Sequence, residues 1–408
     1  MRRCTAAFRE GRFASDLSPA YSWAYLLYKL THFLERDEMI PEISLFFFSA
    51  DSSERNDHKY QLLLESAKFA DENGFAAVWT PERHFQQFGG LYGSPSVTGA
   101  ALAVTTKRIS IRAGSVVLPL QNAVRVAEEW AMIDNLSNGR VAIAAASGWH
   151  VNDFVLSPGT YNNRYEDMYE KIALVQRLWR GEKVTLANGA GVMTEVGILP
   201  APIQQELPIW LTGQSDDSFL NAGKLGFNVM TANFALRHSL KEFIRKSQIY
   251  REALATHHGR AGHITLMAHT FVGENRSEIK AIAAPAMAKY LKVNIGMQKD
   301  HSVGEKQNRG FSAVTDRESE ILIRNQVIND LQSPLSFVGT LDECAQQAER
   351  LSESGVDEIA CLIDFGIGYE SVMASLRRLA NLIEETRVSA PRRLPHGVGA
   401  GFPMKDCA

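Results

Sequence analysis

Two hydrophobic patterns alternate along the chain: short, almost wholly apolar runs, and longer segments in which apolar residues recur with a period of 3.6. The short runs predict buried parallel strands, because helices cover both faces of such strands. The longer segments predict amphipathic helices. The predicted strands are 42–48, 76–79, 109–118, 141–146, 209–212, 228–231, 264–272 and 357–362. The predicted helices are 59–73, 123–136, 164–180, 216–225, 240–256, 277–290 and 341–354.

This alternation predicts an α/β fold, a single (β/α)8 TIM barrel. A doubly wound open sheet is the competing fold, but the count of eight strands and the even composition favour the barrel. A hairpin excursion is expected after the fourth strand, at 183–199, with Asn188-Gly189 at its turn. A polar stretch at 292–335, after the seventh strand, predicts either a lid-like insertion or a disordered one.

The barrel domain is predicted to span residues 39–387. Residues 1–38 form an N-terminal extension with two open interpretations: a loosely attached arm, or an upstream-start artefact whose true start is Met39. Residues 388–408 are rich in proline, glycine and arginine, and this composition predicts a disordered C-terminal tail.

Charge and composition narrow the functional classes. The formal net charge of −3 argues against nucleic acid as the main partner, because phosphate binding needs a basic surplus. No apolar run approaches membrane-spanning length, so no membrane partner is expected. The four cysteines are scattered without a CxxC motif, which favours reduced thiols in a cytoplasmic protein.

Several familiar motifs are missing from the sequence. There is no GxGxxG after the first strand, no GxxxxGK[ST], no HExxH and no GxSxG. His257, His258 and His263 cluster at a polar helix end, where a solvated surface is the better interpretation. No metal site is predicted.

A carboxylate, a guanidinium and an imidazole follow the second predicted strand, at Glu82, Arg83 and His84. The carboxyl ends of parallel strands are where α/β folds place their chemistry. An imidazole changes its protonation easily near neutral pH. The triplet therefore predicts a catalytic loop, with a capping or ion-pair cluster as the alternative.

Small residues mark the ends of the third and fourth strands. Gly114 and Ser115 interrupt the third strand, which indicates either a bulge for barrel curvature or a close ligand. Ser147 and Gly148 follow the fourth strand and leave room for a flat ring. Trp149 comes next and either walls a pocket or simply covers the barrel end.

The fifth strand runs through Gly213, Gln214 and Ser215 into a helix. Backbone N–H groups and hydroxyls at a helix start form an anion site, which in barrels commonly holds a cofactor phosphate. Asp216 and Asp217 leave a second interpretation open, because acidic residues also cap a helix without any ligand.

Taken in order, four segments resemble the luciferase-like flavin monooxygenase family, whose type member is bacterial luciferase. The similarity extends over roughly residues 43–382, and the segments are PERHFQQFG, GSVVLPLQNAVRVAEEWAMIDNLSNGR, ASGWHVNDF with YNNRYEDM, and TGQSDDSFLNAGKLGF. Three further matches resemble the subfamily of polyketide and nonribosomal-peptide gene clusters, of the mupirocin-cluster type. They are VWTPERHF, SGWHVNDF and GVDEIACLIDFG.

The resemblance implies that FMN binds at the carboxyl ends of the strands. The implied contacts of the FMN phosphate are Gly213, Gln214, Ser215 and Ser218, with Arg164 or Tyr165 reaching it from the next helix. Ser147, Gly148 and Trp149 are implied to lie beside the isoalloxazine ring. Gly114–Ser115 is implied to be a non-proline cis peptide under that ring. The implied catalytic residues are His84 for proton transfer, with Glu82 either orienting it or paired with Arg83. Arg83 stands where the family has its first histidine, so luciferase-type aldehyde oxidation is in doubt, and an anionic or carbonyl substrate group is expected there.

The implied reaction uses FMNH2 delivered by a separate NAD(P)H:flavin reductase. The reduced flavin would react with O2 to a C4a-hydroperoxide, and one oxygen atom would enter an acyl or aminoacyl substrate, free or tethered to a carrier protein. A homodimer is implied as well. Three alternatives remain: a deazaflavin-dependent oxidoreductase, an alkanesulfonate- or alkane-type monooxygenase, and a non-catalytic flavin-binding barrel.

Overall fold

The computed structural model describes residues 40–48, 58–86, 89–232, 239–302, 320–321, 323–325, 327 and 335–389. The N-terminal extension, residues 303–319 of the predicted lid and residues 390–408 of the predicted tail lie outside the described residues. Within the described ranges, no helix has the length and apolar character needed to cross a membrane.

Strands and helices alternate through the described chain. The strands are β1 Glu42–Phe46, β2 Ala77–Thr80, β3 Ser110–Val117, β4 Val141–Ala146, β5 Val184–Ala187, β6 Met193–Val196, β7 Ile209–Thr212, β8 Asn228–Ala232, β9 Ile264–Val272, β10 Phe337–Gly339 and β11 Glu358–Leu362. The helices are α1 Gln61–Glu72, α2 Pro95–Thr105, α3 Ala123–Ser137, α4 Arg164–Trp179, α5 Asp216–Leu225, α6 Leu240–His258, α7 Arg276–Ser302, α8 Leu341–Glu353 and α9 Tyr369–Ser389.

The main sheet is a closed parallel barrel. Its strands follow the order β11–β1–β2–β3–β4–β7–β8–β9, and β9 pairs with β11 to close the ring. All eight strands were predicted, so the (β/α)8 fold is confirmed. The antiparallel pair β5–β6 confirms the hairpin after the fourth strand. The short strand β10 pairs with the end of β9 and was not predicted.

Capping residues explain where several helices begin. The Asn122 side chain accepts hydrogen bonds from the first turn of α3, and the Ser215 side chain does the same for α5. Ser239 and Thr340 open α6 and α8 with complete capping boxes. The helix α3 ends at Ser137, and its C-cap Asn138 adopts the left-handed conformation.

Three helical segments differ from the prediction. The helix α2 was missed because its small and apolar residues surround the axis and give no clear amphipathic period. The helix α7 continues through Pro285 to Ser302, so the prediction of irregular chain was wrong for residues 292–302. The helix α9 was not predicted, and it includes residues 388 and 389, which were assigned to the disordered tail.

A buried carboxylate lies inside the barrel at the amino ends of the strands. Glu358 on β11 accepts hydrogen bonds from Arg112 Nη1 at 2.7 Å, Trp79 Nε1 at 2.9 Å and Thr265 Oγ1 at 3.2 Å, and its Oε2 lies 2.9 Å from His263 Nε2. Burial alone would raise the pKa of Glu358, but the charges and bonds around it outweigh burial and lower that pKa. Ser44 on β1 also donates to Glu358 Oε1. As an ionised group, Glu358 therefore joins four other strands: β1, β2, β3 and β9.

Arg112 is held from two further sides. Its guanidinium carbon lies 4.9 Å from the Trp79 ring centre and 4.7 Å from that of Trp210. The two tryptophan rings pack edge to face, with centroids 5.4 Å apart. The Arg112 guanidinium is thus packed against two aromatic rings while its side chain stays 10% exposed, and its partner Glu358 is fully buried.

Replacing Glu358 by alanine leaves Arg112 buried without its counter-charge. We expect the free energy of unfolding to fall by about 3–5 kcal/mol, as is typical when one partner of a buried ion pair is removed. Urea unfolding followed by tryptophan fluorescence measures the change. The control is Glu195→Ala, which breaks an exposed pair with Lys183 (3.6 Å) and should cost less than about 1 kcal/mol. Equal, small losses in both variants would contradict this account.

Candidate active site

Glu82 follows β2 and its carboxylate is fully engaged. Its Oε2 accepts the backbone N–H of Val117 at 2.7 Å, and its Oε1 accepts a short hydrogen bond from Gln121 Nε2. The same Oε1 lies 3.1 Å from His84 Nε2. Of the two predicted roles for Glu82, the structure supports orientation of His84. It also ties the catalytic loop to the end of β3, and Gln121 is a site residue that the sequence analysis missed.

His84 lies at the border between the core and the surface. Its side chain is 12% exposed, whereas that of Glu82 is 0% exposed. Phe85, the next residue, has a φ of 58°, an unusual conformation for a residue with a Cβ atom. The imidazole of His84 is therefore anchored at one nitrogen by a buried carboxylate and sits close to solvent.

Arg83 points in the opposite sense, into an aromatic environment. The residue is 6% exposed, and its guanidinium carbon lies 5.5 Å from the Phe48 ring centre and 5.0 Å from that of Trp149. Burial lowers the pKa of Arg83, while Asp153 and Tyr290 oppose that shift. A guanidinium in this environment is stabilised by any further anion or carbonyl oxygen that comes near it.

The strand β3 is interrupted at Gly114 and Ser115, where a bulge or a close ligand was predicted. The register between β3 and β4 shifts between Gly114 and Val116, and the Gly114–Ser115 peptide bond is cis, as the resemblance implied. A Cβ atom on Gly114 would lie 2.7 Å from the Phe46 ring, so only glycine fits there. The Ser115 hydroxyl lies 2.7 Å from the hydroxyl of Thr212, which fixes its side chain across the barrel end.

The segment after β4 forms the neighbouring wall. Gly148 has a φ of 77°, and a Cβ atom there would approach Val117 to 2.8 Å. Ser147 precedes it and is partly exposed. Trp149 is 41% exposed and offers one ring contact to Arg83, so it both walls this region and covers the barrel end.

A buried histidine that the sequence analysis passed over links these two loops. His150 Nδ1 lies 3.2 Å from Asp153 Oδ1, and His150 Nε2 lies 2.7 Å from Gln86 Nε2. This geometry fits an Nδ1–H donor to Asp153 and an Nε2 acceptor for the Gln86 amide. The pair therefore fastens the loop after β2 to the segment after β4.

The turn between β7 and α5 has the shape expected of an anion site. Ser215 Oγ accepts the Ser218 backbone N–H at 3.1 Å and lies 2.8 Å from Ser218 Oγ. A Cβ atom on Gly213 would lie 2.3 Å from Ser218 Cβ, so glycine is required for this tight turn. Gln214 is partly exposed beside it. Hydroxyls and the first N–H groups of α5 therefore gather at one place.

Charged residues of α6 complete this turn. Arg245 forms a two-pronged ion pair with Asp216, with both N–O distances at 2.7 Å. Lys246 Nζ donates to the Gln214 carbonyl at 2.6 Å, and burial lowers the pKa of Lys246. The negative charge of Asp216 is thus balanced, and a lysine supports the turn from behind. Sequence reasoning missed both basic residues because they belong to the next helix.

The start of α4 faces the same turn. Arg164 donates to the Tyr161 carbonyl at 2.9 Å, and its guanidinium carbon lies 5.0 Å from the ring centre of Tyr165. One helical turn further, the Tyr169 hydroxyl lies 3.3 Å from Asn221 Nδ2 on α5. The elements that carry the predicted phosphate contacts are therefore neighbours.

The predicted histidine cluster does not converge. His257 Nδ1 and His258 Nε2 lie beside backbone carbonyl oxygens at 2.8 Å and 2.9 Å, while His263 faces Glu358 inside the barrel, which corrects its assignment to a solvated surface. Glu42, His263 and Glu358 bring ligand atoms within 4.8 Å of one another. Because Glu358 already serves Arg112 and its other donors, we assign no metal there.

Comparison with known proteins identifies the class. The sequence matches the luciferase-like monooxygenase family over residues 42–358. It is 26% identical over 349 residues to the oxygenase component of flavin-dependent trigonelline monooxygenase from Acinetobacter baylyi, covering 83% of this chain and 93% of that one.

Two solved structures share the fold. One is the oxygenating constituent of 3,6-diketocamphane monooxygenase from Pseudomonas putida, in complex with FMN, with a TM-score of 0.65 and 18% identity over 85% of this chain and 97% of that chain. The other is an F420-dependent secondary alcohol dehydrogenase, with a TM-score of 0.59 and 17% identity over 83% of this chain and 99% of that chain.

A parallel barrel with a carboxylate–imidazole contact and a serine-rich turn before a helix, both beyond the carboxyl ends of strands, is a common enzyme scaffold. The chain belongs to the luciferase-like monooxygenase family and is an oxidoreductase of the monooxygenase class.

Proposed function

We propose that the chain is the oxygenase of a two-component system that uses FMNH2 and O2 to insert one oxygen atom into an organic substrate. The observation that carries the proposal is the placement of the Ser215–Ser218 turn and the Glu82–His84 pair at the carboxyl end of one barrel. The trigonelline relative is named as a flavin-dependent oxygenase component, which supports a flavin cofactor and a separate NAD(P)H:flavin reductase.

The residues of this chain fit FMN. Ser215, Ser218 and the first N–H groups of α5 supply neutral donors for a phosphate, and Arg164 and Tyr165 start the neighbouring helix α4. Gly213 and Gln214 form the turn that leads from β7 to Ser215. Beside this turn, where Ser115 Oγ lies 2.7 Å from Thr212 Oγ1, small and aromatic surfaces suited to the isoalloxazine ring are formed by Gly114, Ser115, Ser147, Gly148 and Trp149. When bound, the reduced flavin supplies the activation of O2.

We propose that His84 takes up and releases protons at its Nδ1 atom. Glu82 Oε1 accepts the Nε2–H bond, which leaves Nδ1 as the atom that takes up or releases a proton. Glu82 therefore acts as a positioning residue, and His84 as the general acid and base.

Arg83 is proposed to bind an anionic or carbonyl group of the substrate. Its buried guanidinium lies between Phe48 and Trp149, where an added acceptor gains a charge-assisted hydrogen bond. An acyl or aminoacyl substrate, free or bound to a carrier protein, has such a group. The subfamily resemblance of VWTPERHF and SGWHVNDF supports a role in natural-product biosynthesis.

A deazaflavin-dependent oxidoreductase is the second candidate, because the F420-dependent alcohol dehydrogenase shares the fold. Absorbance titration of the protein with FMN and with F420 separates the two. The third candidate, an alkanesulfonate- or alkane-type monooxygenase, uses the same cofactor as the proposed oxygenase and differs only in its substrate.

The protein is also proposed to form a homodimer. Apolar side chains remain exposed on the adjacent helices α2 and α3: Val97, Val104, Met132 and Leu136. Val104 is 72% exposed although it is β-branched and apolar. A second copy of the chain would cover this face and remove apolar surface from water.

The function is tested with FMNH2, 18O2 and candidate acyl compounds, with the products followed by mass spectrometry. We expect one labelled atom per product, and we expect His84→Ala to lower product formation at least about 100-fold, the usual range for a general acid–base group. His257→Ala is the control, since His257 contacts a helix carbonyl away from the site. Tight flavin binding without any O2 consumption by the wild type would instead favour a non-catalytic barrel.

Ser215→Asp tests the phosphate site. Aspartate still caps α5, but its charge should weaken FMN binding by about tenfold or more, because like charges a few Å apart repel by over ~1 kcal/mol. Flavin fluorescence titration measures the dissociation constant. Ser239→Asp is the matched control, because Ser239 caps α6 in the same way. Equal affinity in both variants would place the phosphate elsewhere.

The dimer is tested by sedimentation velocity at micromolar concentration. The wild type should sediment as a dimer, and Val104→Lys should shift it to monomers by burying a charge in the interface. The control is Val192→Lys on the β5–β6 hairpin, which is also exposed. A monomeric wild type would overturn the proposal.

A further inference from the structure

One buried imidazole has no role in the mechanism above. His269 lies on β9 and is 4% exposed, and its Nε2 atom has no hydrogen-bond partner among the described residues. Buried polar atoms are nearly always paired, so an open one at the reactive end of a barrel calls for an explanation. The missing partner must come from outside the described residues, and a bound ligand at this end of the barrel would supply it.

The strand register places His269 inside the barrel near the active-site end. Thr265 on the same strand bonds to Trp210 and Glu358 within the barrel. Since strand side chains alternate, His269 points to the same face, roughly 13 Å further toward the carboxyl end. Its pairing partner Leu362 is the last residue of β11, which confirms the position at the strand ends.

Aromatic rings hold the imidazole on two sides. The ring centres of Tyr290 and Phe365 lie 4.8 Å and 5.1 Å from that of His269, and both rings are nearly perpendicular to it. Burial lowers the pKa of His269 to about 4, so the ring is neutral near pH 7 and can donate or accept a hydrogen bond.

Tyr290 also connects His269 with Arg83. Burial lowers the pKa of Arg83, Tyr290 opposes that fall, and the guanidinium faces the rings of Phe48 and Trp149. Two pairs of aromatic side chains thus surround two polar groups: Phe48 and Trp149 at the cation, and Tyr290 and Phe365 at the neutral imidazole. Flat rings on the walls favour a flat guest, and the cation favours a carboxylate.

We propose that Arg83 and His269 Nε2 are the two polar contacts of the substrate site, and that the substrate class is a flat aromatic carboxylate with a second hydrogen-bonding substituent. The acid group lies at Arg83, and the second substituent bonds to His269. This inference rests on the proposed function, since it names the substrate of the same site.

The test measures binding to the FMN-loaded protein by calorimetry, with benzoate, 3-hydroxybenzoate and 4-hydroxybenzoate as probes. At least one hydroxybenzoate should bind about 5- to 10-fold more tightly than benzoate, the gain typical of one hydrogen bond. His269→Phe keeps the ring and removes the nitrogens, so this preference should vanish while benzoate binding stays. His269→Gln should retain part of it. His257→Phe, at the far end of α6, is the matched control and should behave as the wild type.

Thermal unfolding separates a ligand contact from a structural role. Because the removed nitrogen has no partner among the described residues, His269→Phe should melt at the wild-type temperature or above it. A lower melting temperature that His269→Gln restores would make His269 structural and overturn the inference. A preserved hydroxybenzoate preference in His269→Phe, or no binding of the three probes by the wild type, would overturn it as well.

Failure of this inference differs from failure of the proposed function. The binding measurements use oxidised flavin and need no turnover. Oxygenation of an acyl compound together with no binding of the benzoates would overturn the substrate class alone. Binding of the benzoates with the expected preference, but without O2 consumption from FMNH2, would contradict the monooxygenase function and support the two polar contacts.

Discussion

The barrel depends on one buried carboxylate, that of Glu358. An ionised group in a low-dielectric interior is costly unless every lone pair has a donor, and Arg112, Trp79, Thr265 and His263 meet that demand. These partners come from separate parts of the chain, so the carboxylate is satisfied only when the strands are in register. The ion pair thus disfavours any other pairing of the strands, and it provides the rigid base on which the site stands.

At the carboxyl ends of the strands, a second buried carboxylate, that of Glu82, also has its hydrogen-bonding needs met by the protein. The Glu82 carboxylate accepts hydrogen bonds from the Val117 N–H and the Gln121 amide, and it lies 3.1 Å from His84 Nε2. There one donor is the last residue of β3 and the others belong to loops, so the result is a fixed imidazole instead of a closed barrel. At both ends the carboxylate is fully buried and its partner keeps a small exposed fraction, 10% for the Arg112 side chain and 12% for that of His84.

Local signals in the sequence were enough for the barrel and for part of the site. The apolar runs located all eight barrel strands, and Ser215 and Gly213 were recognisable as a helix start after a strand. Contacts between distant segments were not accessible in this way. The bond from Glu82 to Val117 spans 35 positions and the one from Gln86 to His150 spans 64, and no periodicity encodes them. The helix α7 was predicted only as far as residue 290, because the polar chain after it shows no apolar period, yet the helix continues to Ser302.

At the active-site end, some polar side chains have all their hydrogen bonds within the protein, and others keep one nitrogen atom available. Glu82 and His150 have their hydrogen bonds satisfied within the protein, so they fix geometry. His84 keeps one nitrogen for proton exchange, and His269 keeps one without a protein partner among the described residues. An unpaired buried nitrogen lowers stability, and a chain optimised only for folding would place an apolar ring between Tyr290 and Phe365. The imidazole there is therefore best explained by a ligand that pairs with it.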